Sequence, residues 1–293
     1  MKTLLITGST GQLGGELARL LPEFTHRYRV VWADRSDIDL SIADADAWTA
    51  FLDKHRPDAV VNCAAYTKVD KAEQEPDLAF AANTQAPLYM AQWCHANDAL
   101  MLHFSTDFVF DGKKNTPYRE TDPVAPIGVY GLSKLKGEEN VLAHNRRSIV
   151  VRTSWVYSTL GNNFVKTMRR LGSEKYQLRV VADQTGSPTY AADLAQASLK
   201  ILYQTIDIQQ HQAFGQLFHY ANLGVCSWFD LAHQTIQLSG IDCSVSPIET
   251  KDYPTPAQRP AYSVLSSSLI RQTFDLHIPY WRDSLKRCIE QFE

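Results

Sequence analysis

The sequence is poor in the residues that bind structural or catalytic metals. Its five cysteines in 293 residues form no Cys-x-x-Cys pair and no zinc-binding spacing, and its nine histidines do not cluster. We therefore expect no catalytic metal. The cysteines are odd in number and scattered, which favours reduced thiols and a cytoplasmic location over a disulfide framework.

Long apolar runs and clusters of basic residues are missing as well. No apolar stretch approaches the roughly 20 residues that a bilayer-spanning helix needs. A predicted strand begins almost at the N-terminus, so we expect no secretory signal. The net charge of -3 at pH 7, without a basic run, gives no support for a nucleic-acid partner. What remains is ordinary globular composition, 44% hydrophobic and 21% charged, in a chain long enough for one large or two modest domains.

A glycine-rich turn near the N-terminus is the first positive feature. Residues 3–6 are apolar and rich in strand formers, Gly8, Gly11 and Gly14 follow at three-residue spacing, and residues 16–21 have a helical pattern. In a dinucleotide site such glycines permit the tight turn, close approach of the backbone to a pyrophosphate and close helix–strand packing, while the helix N-terminus binds the phosphates. The spacing differs from the commoner Gly-x-Gly-x-x-Gly, so an ordinary strand–helix turn stays the alternative.

The first half of the chain alternates apolar strand-like runs with helical segments. Near-continuous apolar strands between helices predict a parallel sheet covered on both faces, and hence an α/β fold with a Rossmann-like doubly wound sheet. Ligands of such sheets bind beyond the C-terminal ends of the strands. Five candidate residues fall at these predicted ends: Gly11, Asp34, Ala64, Thr106 and Trp155. The predicted elements are strands at 3–6, 29–33, 59–64, 100–105 and 148–152, and helices at 45–54, 79–97 and 129–145.

The second half has a looser pattern, and we expect a smaller α/β substrate lobe built from discontinuous segments. We predict that residues 1–158, with roughly 189–225, form the NAD(P)-binding Rossmann domain, and that roughly 159–188 and 226–293 form the lobe. The patterns in this half are helical at 163–171, 190–204, 228–239 and 281–292, and strand-like at 176–181 and 216–222.

Tyr130 and Lys134 carry the strongest indication of chemistry. Four residues apart on a predicted helix, they lie on the same face, one turn apart. A nearby ammonium favours phenolate, so we expect Lys134 to lower the pKa of Tyr130 toward working pH. Tyr130 can then pass a proton to or from a sugar or steroid oxygen. The alternative is a tyrosine that only packs against neighbouring elements.

These residues and several further motifs resemble those of the extended short-chain dehydrogenase/reductases, and within that superfamily those of the dTDP-4-dehydrorhamnose reductases. The resemblance covers nearly the whole chain. The early motifs are typical of the superfamily, whereas the DQTGSPT stretch and the Arg-Pro segment indicate the reductase branch. The matching runs are TGSTGQLG at 7–14, NCAAYT at 62–67, VDKAE at 69–73, STDFVFDG at 105–112, VYGLSK at 129–134, RTSWVY at 152–157, DQTGSPT at 183–189, and Arg259-Pro260 before Ser263.

The resemblance implies a reaction and the residues that perform it. Hydride from a nicotinamide goes to C4 of a 4-keto-6-deoxyhexose linked to dTDP, giving dTDP-L-rhamnose. Tyr130 is then the proton donor, Lys134 lowers its pKa and binds the nicotinamide ribose, and Thr106 hydrogen-bonds the keto oxygen or the tyrosine. Asp107 and Trp155 match family positions that contact the sugar.

Three positions carry an open alternative. Trp155 offers an apolar face to the deoxysugar methyl, or is a core tryptophan. Arg259 suits the substrate diphosphate because a guanidinium fork matches phosphate oxygens, or is a surface arginine. Asn83, on the helix behind the nicotinamide, hydrogen-bonds nearby backbone or is an exposed polar residue.

The resemblance also implies an NAD(P)H cofactor. Asp34 ends the second strand, where an acid commonly accepts the adenosine ribose hydroxyls, whereas Arg35 can pair with the 2′-phosphate of NADPH. We favour NADPH and expect NADH to be used too. The expected cofactor contacts are Gly8, Gly11, Gln12, Leu13, Gly14, Asp34, Arg35, Asp39, Leu40, Ala64, Ala65, Tyr66, Tyr130 and Lys134.

The family suggests a homodimer, and some relatives hold Mg²⁺ between subunits with glutamates. Glu16 fits one such position and Glu290 or Glu293 another, but Asp193 stands where a further glutamate is expected, which argues against the metal. Two other functions stay open. One is a nucleotide-sugar epimerase or dehydratase that retains its cofactor, and the other is a non-catalytic regulatory subunit that binds NADP. The intact catalytic residues argue against the second.

Overall fold

The computed structural model describes residues 1–24, 26–209 and 211–292. Strands and helices alternate along the first half, as expected, and shorter elements follow. The strands are β1 (Lys2–Thr7), β2 (Tyr28–Ala33), β3 (Ala59–Asn62), β4 (Leu100–Thr106), β5 (Ser148–Thr153), β6 (Val156–Tyr157), β7 (Gln177–Val181), β8 (Thr185–Gly186), β9 (Thr189–Tyr190), β10 (Gln216–His219), β11 (Cys226–Ser227) and β12 (Ser244–Ile248). The α-helices are α1 (Gln12–Leu20), α2 (Ala45–His55), α3 (Val69–Ala72), α4 (Pro76–Phe80), α5 (Ala86–Ala96), α6 (Val129–His144), α7 (Phe164–Glu174), α8 (Ala191–Leu202), α9 (Trp228–Leu238), α10 (Ser268–Phe274) and α11 (Trp281–Ile289).

Six of the strands in the described part of the chain form one parallel sheet in the order β10-β5-β4-β3-β1-β2. β1 pairs with β2 on one side and with β3 on the other, so the chain changes its direction of winding at β1. Ligands of such sheets bind at this switch point, beyond the carboxyl ends of the strands. The α/β fold with a Rossmann-like doubly wound sheet is therefore confirmed.

Helices cover both faces of the sheet, because successive strand residues point to opposite sides and both sides are apolar. Leu4 joins a buried cluster under α1 and α8, whereas its neighbour Leu5 joins another under α2 and α5. Both leucines are fully buried. The sheet is thus the rigid layer that carries the loops at its carboxyl edge.

The second half of the chain adds a smaller α/β unit. β7 pairs in parallel with β12, and α7 and α9 pack over this ribbon. Its cluster of buried residues consists of Met168, Leu178, Val180, Ala232 and Ile236. This unit draws on both parts of the predicted lobe, and the division into two domains at the stated boundaries stays a prediction.

One predicted helix, over residues 79–97, is interrupted. α4 ends at Phe80, a π-helical turn covers Ala81–Gln85, and α5 begins at Ala86. Pro87 explains the break, because proline has no N–H to donate to the carbonyl of residue 83 and its ring crowds that carbonyl. The turn places the Asn83 side chain in the interior, where it is fully buried.

Across the described residues, no helix combines the length and the apolar character needed to cross a bilayer.

Candidate active site

The glycine turn lies at the switch point of the sheet. Gly8 has φ +70°, a conformation that side chains disfavour, and a Cβ there would lie 2.8 Å from the backbone nitrogen of Ala64. A Cβ on Gly14 would lie 2.2 Å from the carbonyl oxygen of Gly8. Gly11 precedes α1 in an extended conformation, without a side-chain cap and without an acid in the first turn. The N–H groups and positive dipole end of α1 therefore suit an anion.

A network of buried, hydrogen-bonded polar side chains lies next to this turn. Thr7 Oγ1 donates to Asn62 Oδ1 over 2.7 Å, and the Asn62 amide contacts His103 Nδ1 at 2.9 Å. The backbone N–H of Ala64 donates to Thr7 Oγ1 at 3.3 Å. Burial and the charge of Lys134 hold the pKa of His103 well below its usual value, so the imidazole is neutral. These hydrogen bonds tie the ends of β1 and β3 to the middle of β4 beside Gly8.

The predicted adenosine contacts follow β2. Gly8 donates its N–H to Ala33, so Asp34 comes directly beside the glycine turn. Asp34 accepts from the backbone and hydroxyl of Ser36, each at 2.7 Å, and these bonds lower its pKa. Arg35 donates to Asp39 at 3.0 Å while its side chain stays 81% exposed. Leu40 packs against the apolar cluster under α2 and α5.

The two residues of α1 that are also predicted to contact the cofactor have different environments: the Gln12 side chain is hydrogen-bonded, whereas the Leu13 side chain is buried in the core. Gln12 donates to the carbonyl of Val156 at 3.4 Å and accepts from Asn163 at 3.0 Å, so it links α1 to the segment after Trp155. Leu13 is 8% exposed and belongs to the core cluster. Only the backbone of Leu13 is therefore a candidate for contact with a phosphate.

The segment after β3 is held by Asn83. Its amide accepts from the N–H of Tyr66 at 2.9 Å and donates to the Tyr66 carbonyl at 3.0 Å and to Ser133 at 3.0 Å. The interpretation of Asn83 as an exposed residue is wrong. Ala64 and Ala65 lie in the same segment, and the Tyr66 hydroxyl donates to Glu75 at 2.5 Å. These hydrogen bonds hold in place the backbone of residues 64–66, which is predicted to flank a ribose of the cofactor.

The helix α6 carries both Tyr130 and Lys134. Its first N–H group, at Val129, donates to the carboxylate of Glu73 at 2.8 Å. The ring of Tyr130 meets Phe108 edge to face, with centroids 5.5 Å apart. Sequence analysis missed Glu73 as the cap of this helix, because the two residues are 56 positions apart.

The ionisation of Tyr130 differs from the sequence prediction. The pKa of Tyr130 is raised to about 12, mainly by burial; a hydrogen bond with Thr106 lowers it, and the charge of the nearby Asp107 adds to the rise. The expectation that this pKa falls toward working pH is wrong for the described structure, because burial outweighs the groups that would lower it. Tyr130 is therefore protonated at neutral pH, as a proton donor must be.

Lys134 is a buried cation, only 2% exposed. Its ammonium donates to the carbonyl of Phe104 at 2.6 Å. Burial lowers the pKa of Lys134 to about 8, and the charge of Glu138 opposes this shift. The ammonium is thus close to losing its proton within the physiological range.

Thr106 and Asp107 follow directly at the end of β4. Thr106 Oγ1 donates to Asp107 Oδ1 at 3.1 Å and accepts from the N–H of Phe108 at 3.2 Å. Asp107 is 2% exposed, and its second oxygen has no hydrogen-bond partner among the described residues. Burial raises the pKa of Asp107 to about 6, although Ser263 and Thr106 lower it.

This raised pKa predicts a pH-dependent effect of Asp107 on stability. The folded state binds the proton more tightly than the unfolded state, so stability falls as pH rises from about 4 to about 6 and stays reduced above that. We expect the change in unfolding free energy caused by Asp107→Asn to be about 1–2 kcal/mol more favourable at pH 8 than at pH 5. Urea unfolding at the two pH values measures it. Asp111→Asn is the control, because the pKa of Asp111 is lowered and its effect should not change over this range. Equal effects of Asp107→Asn at both pH values would contradict the prediction.

The Trp155 indole is neither fully buried in the core nor fully accessible to a ligand. It is partly buried, with φ +49°, and one ring face stacks on Trp228 at a centroid distance of 3.5 Å. Gly186 also packs against the indole, since a Cβ there would lie 2.6 Å from the ring. The ring face predicted for the sugar methyl is thus largely occupied by protein. Any contact with a ligand falls to the remaining exposed part of the ring.

Arg259 is not a free surface residue. Its two terminal nitrogens bind the two carboxylate oxygens of Asp70 at 2.9 and 2.8 Å, and one of them also donates to Thr255 and to the Ala257 carbonyl. The fork predicted for a diphosphate is therefore paired with α3. This pair ties the proline-rich loop to the segment that leads to Glu73.

Three of the carboxylates considered for Mg²⁺ have partners within the chain. Glu16 is 3% exposed and accepts from Ser158 and Arg19, and Asp193, also 3% exposed, accepts from Arg287 at 2.6 Å. Glu290 pairs with Lys286 at 3.9 Å, whereas Glu293 lies outside the described residues. No group of three or more His, Cys, Asp or Glu side chains in 1–24, 26–209 and 211–292 could hold a metal ion.

A polar cavity of about 380 Å³ opens at the opposite edge of the sheet, near the amino ends of the strands. Its lining includes Lys2, Asp58 and Arg147, with Lys2 paired to Asp58 at 2.9 Å. None of the predicted site residues lines it. The candidate active site is therefore the carboxyl edge, where the glycine turn, Tyr66, Thr106 and Tyr130 are gathered.

Comparisons with known proteins find similar chains over almost the full length. The chain matches the family described as RmlD substrate binding domain over residues 1–293. A relative from Aggregatibacter actinomycetemcomitans, named dTDP-4-dehydrorhamnose reductase, is 40% identical, with 98% of each chain covered. A solved dTDP-4-dehydrorhamnose reductase from Clostridium acetobutylicum is 39% identical, with 99% of each chain covered and a TM-score of 0.91. Another from Bacillus anthracis, solved in complex with NADP, is 36% identical with the same coverage and a TM-score of 0.91.

Proposed function

This chain belongs to the RmlD substrate binding domain family, and we propose that it reduces the C4 keto group of dTDP-4-dehydro-β-L-rhamnose to give dTDP-β-L-rhamnose. It is an NAD(P)H-dependent oxidoreductase, and NADPH is the cofactor that we favour over NADH. Relatives of 36–40% identity over almost the full length carry the reductase name, which favours this reaction over an epimerase or a dehydratase.

One observation carries the proposal. The hydroxyl groups of Thr106 and Tyr130 meet at the carboxyl edge of the sheet, where the phenol is protonated and Lys134 is buried behind it. A proton donor and a hydrogen-bonding hydroxyl at the carboxyl edge of a dinucleotide fold are the protein groups that reduction of a carbonyl by a bound nicotinamide needs.

The catalytic residues divide the work of carbonyl reduction. A bound nicotinamide would supply the hydride. Tyr130 delivers its phenolic proton to the oxygen on which negative charge develops, and Thr106 stabilises that oxygen or orients the phenol by hydrogen bonding. Lys134 binds the ribose and, being cationic, stabilises the phenolate that remains after proton transfer.

The binding residues extend to both sides of this centre. For the dinucleotide we propose Gly8, Gly11, Gln12, Gly14 and the Leu13 backbone at the phosphates, Asp34, Arg35, Asp39 and Leu40 at the adenosine, and Ala64, Ala65 and Tyr66 along the ribose. For the nucleotide sugar we propose Asp107 and Trp155 at the hexose and Arg259 at the diphosphate. Arg259 would exchange or share its contact with Asp70 when it binds a phosphate.

Several attributes stay predictions of the sequence. They are the homodimer, the cytoplasmic location and the substrate role of the lobe at roughly 159–188 and 226–293. The interfacial Mg²⁺ gains no support, because Glu16 and Asp193 are buried and paired within the chain.

Turnover with the proposed substrate is the direct test. Purified protein is mixed with NADPH and dTDP-4-dehydro-L-rhamnose, loss of absorbance of the reduced cofactor is followed, and the product is identified by mass. We expect stoichiometric oxidation of NADPH and a product heavier by a hydride and a proton. No oxidation by folded protein that binds NADPH would refute the reductase. Tightly bound NAD⁺ without net cofactor turnover would instead identify an epimerase or a dehydratase.

A further inference from the structure

A buried ion pair lies next to Lys134, and the proposed mechanism assigns no role to it. Arg152 of β5 donates from Nε and Nη2 to the two oxygens of Glu138 on α6, at 2.9 and 2.6 Å. The side chains are only 4% and 2% exposed. The guanidinium also lies 5.1 Å from the ring centroid of Phe110.

Stability alone is a poor explanation for this pair. Removing two charges from water is costly, and a well-packed apolar pair of similar volume is often as stable or more stable. The role of a buried ion pair is therefore to be sought in the neighbouring groups whose ionisation its charges affect.

The neighbour of Glu138 is Lys134. The two residues are four positions apart on α6, so their side chains share one face of the helix. Both are 2% exposed, and the ammonium donates to the Phe104 carbonyl, which carries no net charge. Glu138 is the charged group that raises the pKa of Lys134 against the effect of burial.

The other titratable groups around Lys134 and the Glu138–Arg152 pair come from β4 and β10 and from the segment after β4. His103 of β4 and His219 of β10 are both neutral, because burial holds the pKa of each well below its usual value. Arg152 of β5 is a cation. Asp107, after β4, acts on Tyr130, whose pKa it raises.

We propose that Glu138 and Arg152 act together on Lys134. The carboxylate of Glu138 keeps the buried ammonium protonated, and Arg152 holds that carboxylate in place. Glu138 is a positioning residue, because it acts through Lys134 and has no proposed contact with substrate. The catalytic meaning of this inference rests on the proposed function, but the charge on Lys134 can be measured without it.

The test is to titrate Lys134 in the full chain by NMR of ¹³C-labelled lysine side chains, with the Lys134 signal assigned by its loss in Lys134→Met. In Glu138→Gln we expect its midpoint to fall by about one pH unit or more. Glu139→Gln is the matched control. Glu139 is the next residue of α6, pairs with Lys136 at 2.7 Å and is exposed, so the midpoint should not move.

A folding defect is the main complication, since Glu138→Gln leaves the charge of Arg152 unpaired in the interior. The double variant Glu138→Gln/Arg152→Met removes both charges and keeps similar volumes. We expect a smaller fall of the midpoint in this variant, because loss of the Arg152 cation offsets part of the effect of losing Glu138. A midpoint that stays at the wild-type value in folded Glu138→Gln, or that rises in the folded double variant, would overturn the proposal. If the wild type reduces the substrate, the alkaline limb of its pH–rate profile should shift with the midpoint, whereas a wild type without turnover refutes only the proposed function.

Discussion

Tyr130→Phe is expected to lower kcat by about 10²–10⁴-fold, the usual contribution of general acid catalysis. The substitution removes only the hydroxyl, so the edge-to-face contact with Phe108 is kept and the fold should be intact. The raised pKa of Tyr130, about 12, means that wild type begins each turnover with a protonated phenol. Steady-state oxidation of NADPH, together with the Kd for NADPH, measures the effect. We expect kcat to fall while the Kd stays within about twofold, a difference well below 1.4 kcal/mol.

Tyr176→Phe is the matched control for this experiment. Tyr176 is 91% exposed and precedes β7, away from the carboxyl edge of the main sheet. The loss of its hydroxyl should leave kcat and Kd unchanged. If Tyr130→Phe retained the turnover of this control, the phenol would not be the proton donor and the proposed mechanism would fail.

Gly14→Ala is expected to abolish high-affinity cofactor binding. The added Cβ would lie 2.2 Å from the Gly8 carbonyl oxygen and 3.0 Å from the Cα of Ser9, so backbone atoms have to move. Overpacking of this kind typically costs about 1–3 kcal/mol. The displaced turn no longer presents its N–H groups correctly, so we expect the Kd for NADPH to rise by at least about tenfold, equivalent to 1.4 kcal/mol. Fluorescence titration with NADPH and urea unfolding measure the two effects.

Gly15→Ala distinguishes steric crowding from a general effect of alanine in α1. A Cβ at Gly15 would meet the Cδ1 atom of Leu160 at 2.6 Å, and this atom ends a flexible side chain that can rotate away. Alanine also favours a helix over glycine by up to about 1 kcal/mol. We therefore expect Gly15→Ala to bind NADPH like the wild type. Equal binding by Gly14→Ala would show that the close approach to Gly8 is dispensable.

The sheet was predictable because its signals are local. Near-continuous apolar runs at β1, β3, β4 and β5 make strands buried on both faces, and burial on both faces requires covering helices. The placement of candidate residues at strand ends followed from the same runs. Short pairings were missed, since β6 pairs with β9 and β8 with β11 over only two residues each. Strands of two residues are too short to show a repeating hydrophobic pattern, so the tertiary structure and not the local sequence sets their pairing.

The ionisation states of the site were not predictable from spacing. The four-residue interval correctly indicated that Tyr130 and Lys134 share a helix, but it led to the wrong direction for the tyrosine pKa. Burial is a property of the packed structure, and it dominates both groups here. Glu138 stood at the same interval from Lys134 and offered a signal that sequence analysis did not use.

The sequence by itself determined the parallel sheet, the glycine turn and the helix that carries the tyrosine–lysine pair, because these depend on neighbours a few residues apart. Only the tertiary structure decided which charges meet. Arg259 and Asp70 are 189 positions apart, and Arg152 and Glu138 lie on different elements. Such contacts, and the loss of water around them, arise when the layers pack, and they set the charges with which the site would work.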